Sequence, residues 1–453
     1  MLKKSKSQFF CQNCGHQSFK WLGKCPSCGE WNQFAEEEIS TAVTGIDAGL
    51  QFREETRPLC AVDAEDRERI ATGIGEMDRV LGGGLVCGSA VLVGGDPGIG
   101  KSTLLLQVLQ RIAERGLKVL YVTGEESARQ VKLRGTRIGA SSANLLIMVE
   151  VALESIMEQI REVNPQVVVI DSIQTVYTSN LASAPGSVGQ VREASGKLIL
   201  LAKKLDIPFF LIGHVTKDGS IAGPKVLEHM VDTVLYFEAD FGHAYRIIRS
   251  MKNRYGPTNE IGVFEMRDTG LAEVSNPSAF FLAERPEGAA GSVVVPSMEG
   301  TRPILVEIQS LVNPTYLGMP RRTAMGVEPN RVSLLIAVLD KICGLNLGNH
   351  DVFLNVAGGI KADEPAMDLG IVSSLASSFQ NRPVAEHTVV FGEVGLTGEV
   401  RGISRMGDRI KEAARMGFSH CIIPKTNFSD DTLPAGIKLS RVTNIRELLA
   451  RLF

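Results

Sequence analysis

GGDPGIGKST, residues 94–103, decides how this chain is read. Gly95, Gly100, Lys101 and Ser102 fill the spacing G-x-x-x-x-G-K-[ST] of a phosphate-binding loop. Glycines there let successive backbone N–H groups turn inward around a triphosphate, and the following helix adds the positive end of its dipole. Gly95, Asp96, Pro97, Gly98, Ile99, Gly100, Lys101, Ser102 and Thr103 are therefore the expected ATP-binding segment. Within it Lys101 suits the β- and γ-phosphates and the Ser102 hydroxyl suits Mg²⁺. The flanks agree, because SAVLVGG (89–95) enters as a strand and LLLQVLQRIAERG (104–116) leaves as a helix.

Outward from the loop, ATGIGEMDRVLGGGL (71–85) reads as a short helix closed by glycines, and strand-like and helix-like runs then alternate. They include LKVLYVTGEES (117–127), ALESIMEQIREVN (152–164), QVVVIDS (166–172), PFFLIGHVT (208–216) and YRIIRSMKN (245–253). This alternation predicts an open, mainly parallel α/β sheet whose ligands sit at the carboxyl ends of the strands. Asp171 closes a fully apolar strand, as a carboxylate holding the Mg²⁺ water shell would. Glu125 is the expected general base, with Glu126 the alternative. His214 is either a γ-phosphate sensor or a hydrogen-bonded turn residue. Lys252 and Arg254 form a cation pair far beyond the loop in sequence, suited to reach a phosphate in a neighbouring subunit as an arginine finger does.

With 453 residues the chain is too long for one core and corresponds to about three domains. Hydrophobic residues at 44% and charged residues at 22% describe an ordinary soluble protein, and a net charge of -3 does not single out a polyanion partner. No apolar run approaches the ~20 residues of a membrane span and MLKKSKSQFF has no apolar signal core, so a cytoplasmic protein without membrane contact is expected. Cysteines in that compartment suggest metal before disulfides. Cys11, Cys14, Cys25 and Cys28 read C-x2-C-x10-C-x2-C, a closed tetrahedral shell for a structural Zn²⁺. Phe10, Phe19, Trp21, Trp31 and Phe34 are expected to form the small core around it. The resulting organisation is a Cys₄ zinc finger over 1–35, a linker over 36–68, a P-loop domain over 69–272 and a second α/β unit over 280–453.

The Cys₄ motif, the P-loop core and KNRYG (252–256) together resemble the RadA (Sms) family of bacterial DNA repair proteins across nearly the whole chain. Tyr255 stands where members usually carry Phe, so an aromatic is retained. KNRYGP also resembles the K-x-R-x-G-P segment of DnaB-type helicases. The resemblance implies a RecA-like P-loop ATPase domain, a homo-oligomeric and specifically hexameric ring, and RecA as a partner. It further implies a motor on single-stranded and branched DNA that promotes branch migration of recombination intermediates.

From the residues themselves, two loops suit DNA: 174–197, with Tyr177, Arg192 and Lys197, and 215–225, with Lys217 and Lys225. Solvated connectors are the alternative. The 280–453 segment resembles the proteolytic domain of Lon proteases, whose chemistry needs a serine and a lysine. Alignment on DEPAMDLG (363–370) puts Asp368 at the serine position, and alignment on GEVGLTGEV (392–400) puts Gly407 at the lysine position. A catalytically inactive scaffold is expected. Arg401, Arg405 and Arg409, four apart, would share one face if a helix begins early enough, as a DNA contact or a solvated face. Three functions compete: a DNA-stimulated ATPase and helicase, a nucleotide-gated recombination mediator that does not translocate, and a Lon-type protease.

Overall fold

The computed structural model describes residues 6–11, 16–27, 29–39, 58, 60, 69–181, 183–213, 226–238, 245–316, 319–358, 364–425, 434 and 436–453. Cys14, Cys28, His214, Lys217 and Lys225 lie outside them. The chain divides into two compact units, 1–275 and 276–453.

In the first unit a nine-stranded sheet runs, from one edge, Leu145–Val149, Val119–Thr123, Val167–Asp171, Phe209–Ile212, Ala90–Gly95, Thr233–Glu238, Tyr245–Asn253, Ile261–Arg267 and Gly270–Glu273. The first six are parallel and the last three antiparallel. The inner parallel strands are buried on both faces, which is why they read as unbroken apolar runs. Successive side chains go to opposite cores. Val91, Val93, Val119, Tyr121, Val167 and Val169 join Leu105, Leu109 and Ile112 of the P-loop helix, whereas Leu92, Leu120, Val122, Val168 and Ile170 join Ile156, Ile160 and Leu198 on the other face. Each such aliphatic side chain contributes about 1.5–3 kcal/mol by burial. The helix Gly75–Leu81 ends at Gly82 with φ 82°, and its turn meets the KNRYG loop so closely that a Cβ on Gly82 would lie 2.9 Å from the Gly256 Cα. Arg69 ties the two loops together, donating to the carbonyls of Gly82 and Tyr255 at 2.7 Å each.

The segment expected to be one long DNA loop is half helix. Val188–Leu205 carries both Arg192 and Lys197, and Lys197 is buried with Glu193 3.3 Å away. The helix forms because VREASGKLILLAKKL keeps apolar residues at helical spacing behind a Ser187 cap that accepts from the Gln190 N–H. Gln190, itself buried, donates to the carbonyls of Thr178 and Ser183 and accepts from the Thr178 N–H, so it fixes the preceding loop.

The N-terminal segment has its own three-stranded antiparallel sheet of Lys6–Cys11, Gln17–Ser18 and Phe34–Ile39. The third strand runs through residue 39, past the expected end of the finger at 35, because the full length of Lys6–Cys11 pairs with it. Its core also differs from expectation. Phe34 is buried with Cys11 and Cys25, and Phe9 and Leu22 pack on them, while Phe19, Trp21 and Trp31 are exposed. Forty residues offer too little interior for three more large rings.

In the second unit a mixed seven-stranded sheet runs Arg322–Met325, His350–Val356, Arg302–Pro314, Ser292–Glu299, Thr388–Val390, His420–Pro424 and Lys438–Val442. The three arginines expected on one helical face do not share it. The helix is Met406–Arg415, Arg401 lies in the strand Val400–Arg401, and Arg405 caps the helix with φ 52°. Arg409 is wholly buried, donating to the Pro296 carbonyl and pairing with both oxygens of Glu364. Glu364→Ala would leave that guanidinium buried without its counter-charge, a loss of about 3–5 kcal/mol. Calorimetry of the full-length variant should show the second unit melting earlier. A loss under about 1 kcal/mol, the range of surface pairs, would contradict the structural role.

Candidate nucleotide site

The site forms at the carboxyl ends of the parallel strands. Ala90–Gly95 delivers the loop and Gly100, at φ 118°, opens the helix Lys101–Glu114. Gly95 has φ 145°, and a Cβ there would lie 2.8 Å from the Phe237 carbonyl oxygen, so the turn requires glycine. Lys101 is buried and its ammonium donates to the carbonyls of Gly95 at 2.6 Å and Asp96 at 2.9 Å. Burial pulls its pKa down, against the nearby carboxylates of Asp171, Asp96 and Glu125.

Asp171 ends the strand that lies one strand from the P-loop strand. It is buried; one oxygen accepts from the Tyr121 hydroxyl, and Oδ1 has no hydrogen-bond partner among the described residues. A buried carboxylate oxygen without a hydrogen-bond partner, at the end of a parallel strand, fits a divalent cation with its waters. Burial and the Asp171 charge hold the Tyr121 phenol well above its ordinary pKa, so it stays protonated and donates. Val119–Thr123 is separated from the P-loop strand by Val167–Asp171 and Phe209–Ile212. After it the chain turns sharply, with Thr123 Oγ1 accepting from the N–H groups of Glu125 and Glu126. Glu125 accepts from the hydroxyl of Ser172, the residue after Asp171, while Glu126 is paired with Arg134. The two glutamates thus differ in surroundings, and the charge of Glu125 acts on the Lys101 ammonium.

Lys252 and Arg254 sit at the other end of the sheet. Asp232 accepts from the Ala90 N–H at 3.1 Å, where the P-loop strand begins, and the same carboxylate holds Arg254 at 3.1 Å. Asp232 is buried, whereas the Arg254 side chain is 53% exposed. Lys252 donates to the carbonyls of Glu228 and Val231 at 2.7 and 2.8 Å, at the end of the helix Val226–Met230, and burial together with Arg254 lowers its pKa. The strand between these cations and the loop is about 16 Å long at the usual ~3.3 Å per residue.

At the expected metal finger, Cys11 and Cys25 are buried. The Cys11 N–H donates to the His16 carbonyl at 2.9 Å and the Cys25 N–H to the Glu30 carbonyl at 2.8 Å. Two cysteines buried in one small core fit a thiolate-bound metal. In the second unit, Asp368 is buried and gripped by Arg331, whose Nε donates at 2.8 Å, and accepts from the Val394 N–H at 3.0 Å. Gly407 lies in the first turn of Met406–Arg415.

Sequence reasoning missed Tyr121, Gln190, Asp232 and Arg331. Tyr121 carried a usable signal: a phenol inside a strand buried on both faces must find a partner for its hydroxyl. The other three act across folds of the chain that no local spacing encodes.

A glycine-turned loop with a buried lysine, a helix beginning at that lysine, and a buried acidic strand end define a P-loop ATPase of RecA-like α/β architecture. Residues 55–220 match the model of the AAA domain, residues 9–36 that of the rubredoxin metal binding domain, and residues 310–427 that of subunit ChlI of Mg-chelatase. DNA repair protein RadA of Bacillus subtilis (strain 168) is 54% identical over 99% of both chains. The RadA proteins of Halalkalibacterium halodurans, covering 99% of both chains, and Listeria monocytogenes, covering 99% of this chain and 98% of that one, are each 52% identical. The chain belongs to the DNA repair protein RadA family, with an N-terminal zinc ribbon, a P-loop ATPase domain and a C-terminal Lon-like domain. Among solved structures, a KaiC-like protein of Pyrococcus horikoshii OT3 matches 46% of this chain and 99% of its own at 22% identity and TM-score 0.40. No helix among the described residues is long and apolar enough to cross a membrane.

Proposed function

We propose that this protein is a DNA-dependent ATPase and DnaB-type helicase that assembles as a hexameric ring. In this reading it works in cytoplasmic recombinational repair, moving on single-stranded and branched DNA beside RecA to promote branch migration. The observation that carries the reading is the position of Arg254, exposed at the amino end of the strands whose carboxyl ends carry the P-loop. A cation there cannot serve its own nucleotide but suits a neighbour's, which makes the site a property of an assembly.

Residues 95–103 hold ATP, Lys101 neutralises the β- and γ-phosphates, and Ser102 and Asp171 hold Mg²⁺. When bound, the cation supplies charge stabilisation at the transferring phosphate. Glu125 orients and deprotonates the attacking water, and Arg254 is the finger in trans, with Lys252 beside it. Cys11, Cys14, Cys25 and Cys28 hold Zn²⁺ in a ribbon that extends to residue 39, followed by a linker to 68, an ATPase domain over 69–272 and a scaffold domain over 280–453. That scaffold is not a peptidase, since an Arg331-bound carboxylate stands where a nucleophile would be needed.

The test is strand displacement on forked DNA with ATP, run beside hydrolysis with and without single-stranded DNA. Stimulated hydrolysis with ATP-dependent unwinding is expected. Stimulated hydrolysis with no unwinding would sink the motor and leave a nucleotide-gated mediator.

A further inference from the structure

Tyr121 is wholly buried in the strand Val119–Thr123, and its ring packs in the core behind the P-loop helix. The phenol has one proton and an oxygen that can accept. An ionised carboxylate only accepts, so the proton goes to Asp171 Oδ2. The phenol oxygen then accepts from Arg134 Nη1 at 3.5 Å. Arg134 is in turn held by Glu126, so the phenol sits in a fixed surround. One consequence follows for the atoms that face a cation. With Oδ2 engaged, Asp171 presents Oδ1, the oxygen that has no partner among the described residues.

We propose that Tyr121 is a positioning residue that orients Asp171 Oδ1 and thereby sets the affinity of the site for its divalent cation. The inference rests on the reading of Ser102 and Asp171 as the Mg²⁺ residues. Partners of this outer kind change metal affinity by about 10–100-fold when removed. A phenylalanine would fill the same space, so the hydroxyl can be tested apart from the packing.

The experiment compares the full-length wild type with Tyr121→Phe. Mn²⁺ binding is followed by electron paramagnetic resonance in the presence of a non-hydrolysable ATP analogue, and binding of a fluorescent ATP is measured in EDTA. The variant should bind Mn²⁺ about tenfold more weakly, at the low end of that range. Its nucleotide affinity without metal should be unchanged, and its hydrolysis should climb toward the wild-type rate as Mg²⁺ is raised. Placing 3-fluorotyrosine at position 121, which returns a hydroxyl, should restore Mn²⁺ affinity and covers the case in which the phenylalanine variant folds poorly. Equal Mn²⁺ affinity in wild type and Tyr121→Phe would overturn the proposal. So would an equal loss of metal-free nucleotide binding, which would mark general loosening, or failure of the fluorinated residue to restore the metal. If the wild type itself binds no Mn²⁺ with nucleotide, the reading of Ser102 and Asp171 fails instead.

Discussion

Lys101→Ala should reduce ATP hydrolysis to below about one-thousandth of the wild-type rate, the scale on which a preorganised charge aimed at the reacting group is worth. Two effects combine. The variant loses the amine that would neutralise the β- and γ-phosphates, and it also unmasks the site's own negative charge. Asp171, Asp96 and Glu125 all act on that ammonium, and the Gly95 and Asp96 carbonyls accept from it. Without it these groups repel a triphosphate, so nucleotide affinity should fall together with turnover. Steady-state hydrolysis and binding of a fluorescent ATP measure the two effects separately. Near-normal turnover in a folded variant would remove residues 95–103 from the nucleotide site altogether.

Arg254→Ala is expected to behave differently, binding ATP almost normally while losing about 10³-fold or more in turnover, as fingers supplied in trans do. The substitution also leaves buried Asp232 with the Ala90 N–H but without its cation. Arg254→Gln, which can still hydrogen-bond that carboxylate, separates loss of the finger from loss of stability. Mixing Arg254→Ala with Lys101→Ala protein is the decisive measurement. Some mixed interfaces would join an intact P-loop to an intact finger and regain hydrolysis, whereas residues acting within one chain could not complement. Normal basal hydrolysis with lost DNA stimulation would instead assign Arg254 to DNA contact.

Much of the site was legible because phosphate chemistry imposes local spacing. Gly95, Gly100, Lys101 and Ser102 lie within eight consecutive residues, and the apolar strand before Asp171 announces a buried acidic end. The chain readings that failed were those that assumed local continuity would persist. Arg401, Arg405 and Arg409 are evenly spaced, yet one is in a strand, one is a left-handed cap and one is buried against Glu364, 45 residues away. Lys197 looked like loop charge and is a buried helix residue paired one turn back, because the helix starts at Val188. Phe19, Trp21 and Trp31 looked like core, but a ribbon so small has room for little beyond Phe34, Phe9 and Leu22 around its cysteines.

By itself the sequence determined the elements and the chemistry that local spacing encodes: alternating strands and helices, the phosphate loop, the acidic strand end and the paired cysteine knuckles. Period-two burial and a ten-residue glycine turn are short-range constraints, so they are written in consecutive residues. Only the tertiary structure decided which distant groups meet. It set Tyr121 against Asp171, gave Glu126 to Arg134 while leaving Glu125 beside Ser172, and carried Arg254 to the end of the sheet away from its own P-loop. The physical reason is that these contacts follow from strand order and register, which the whole core fixes through burial and no single segment contains.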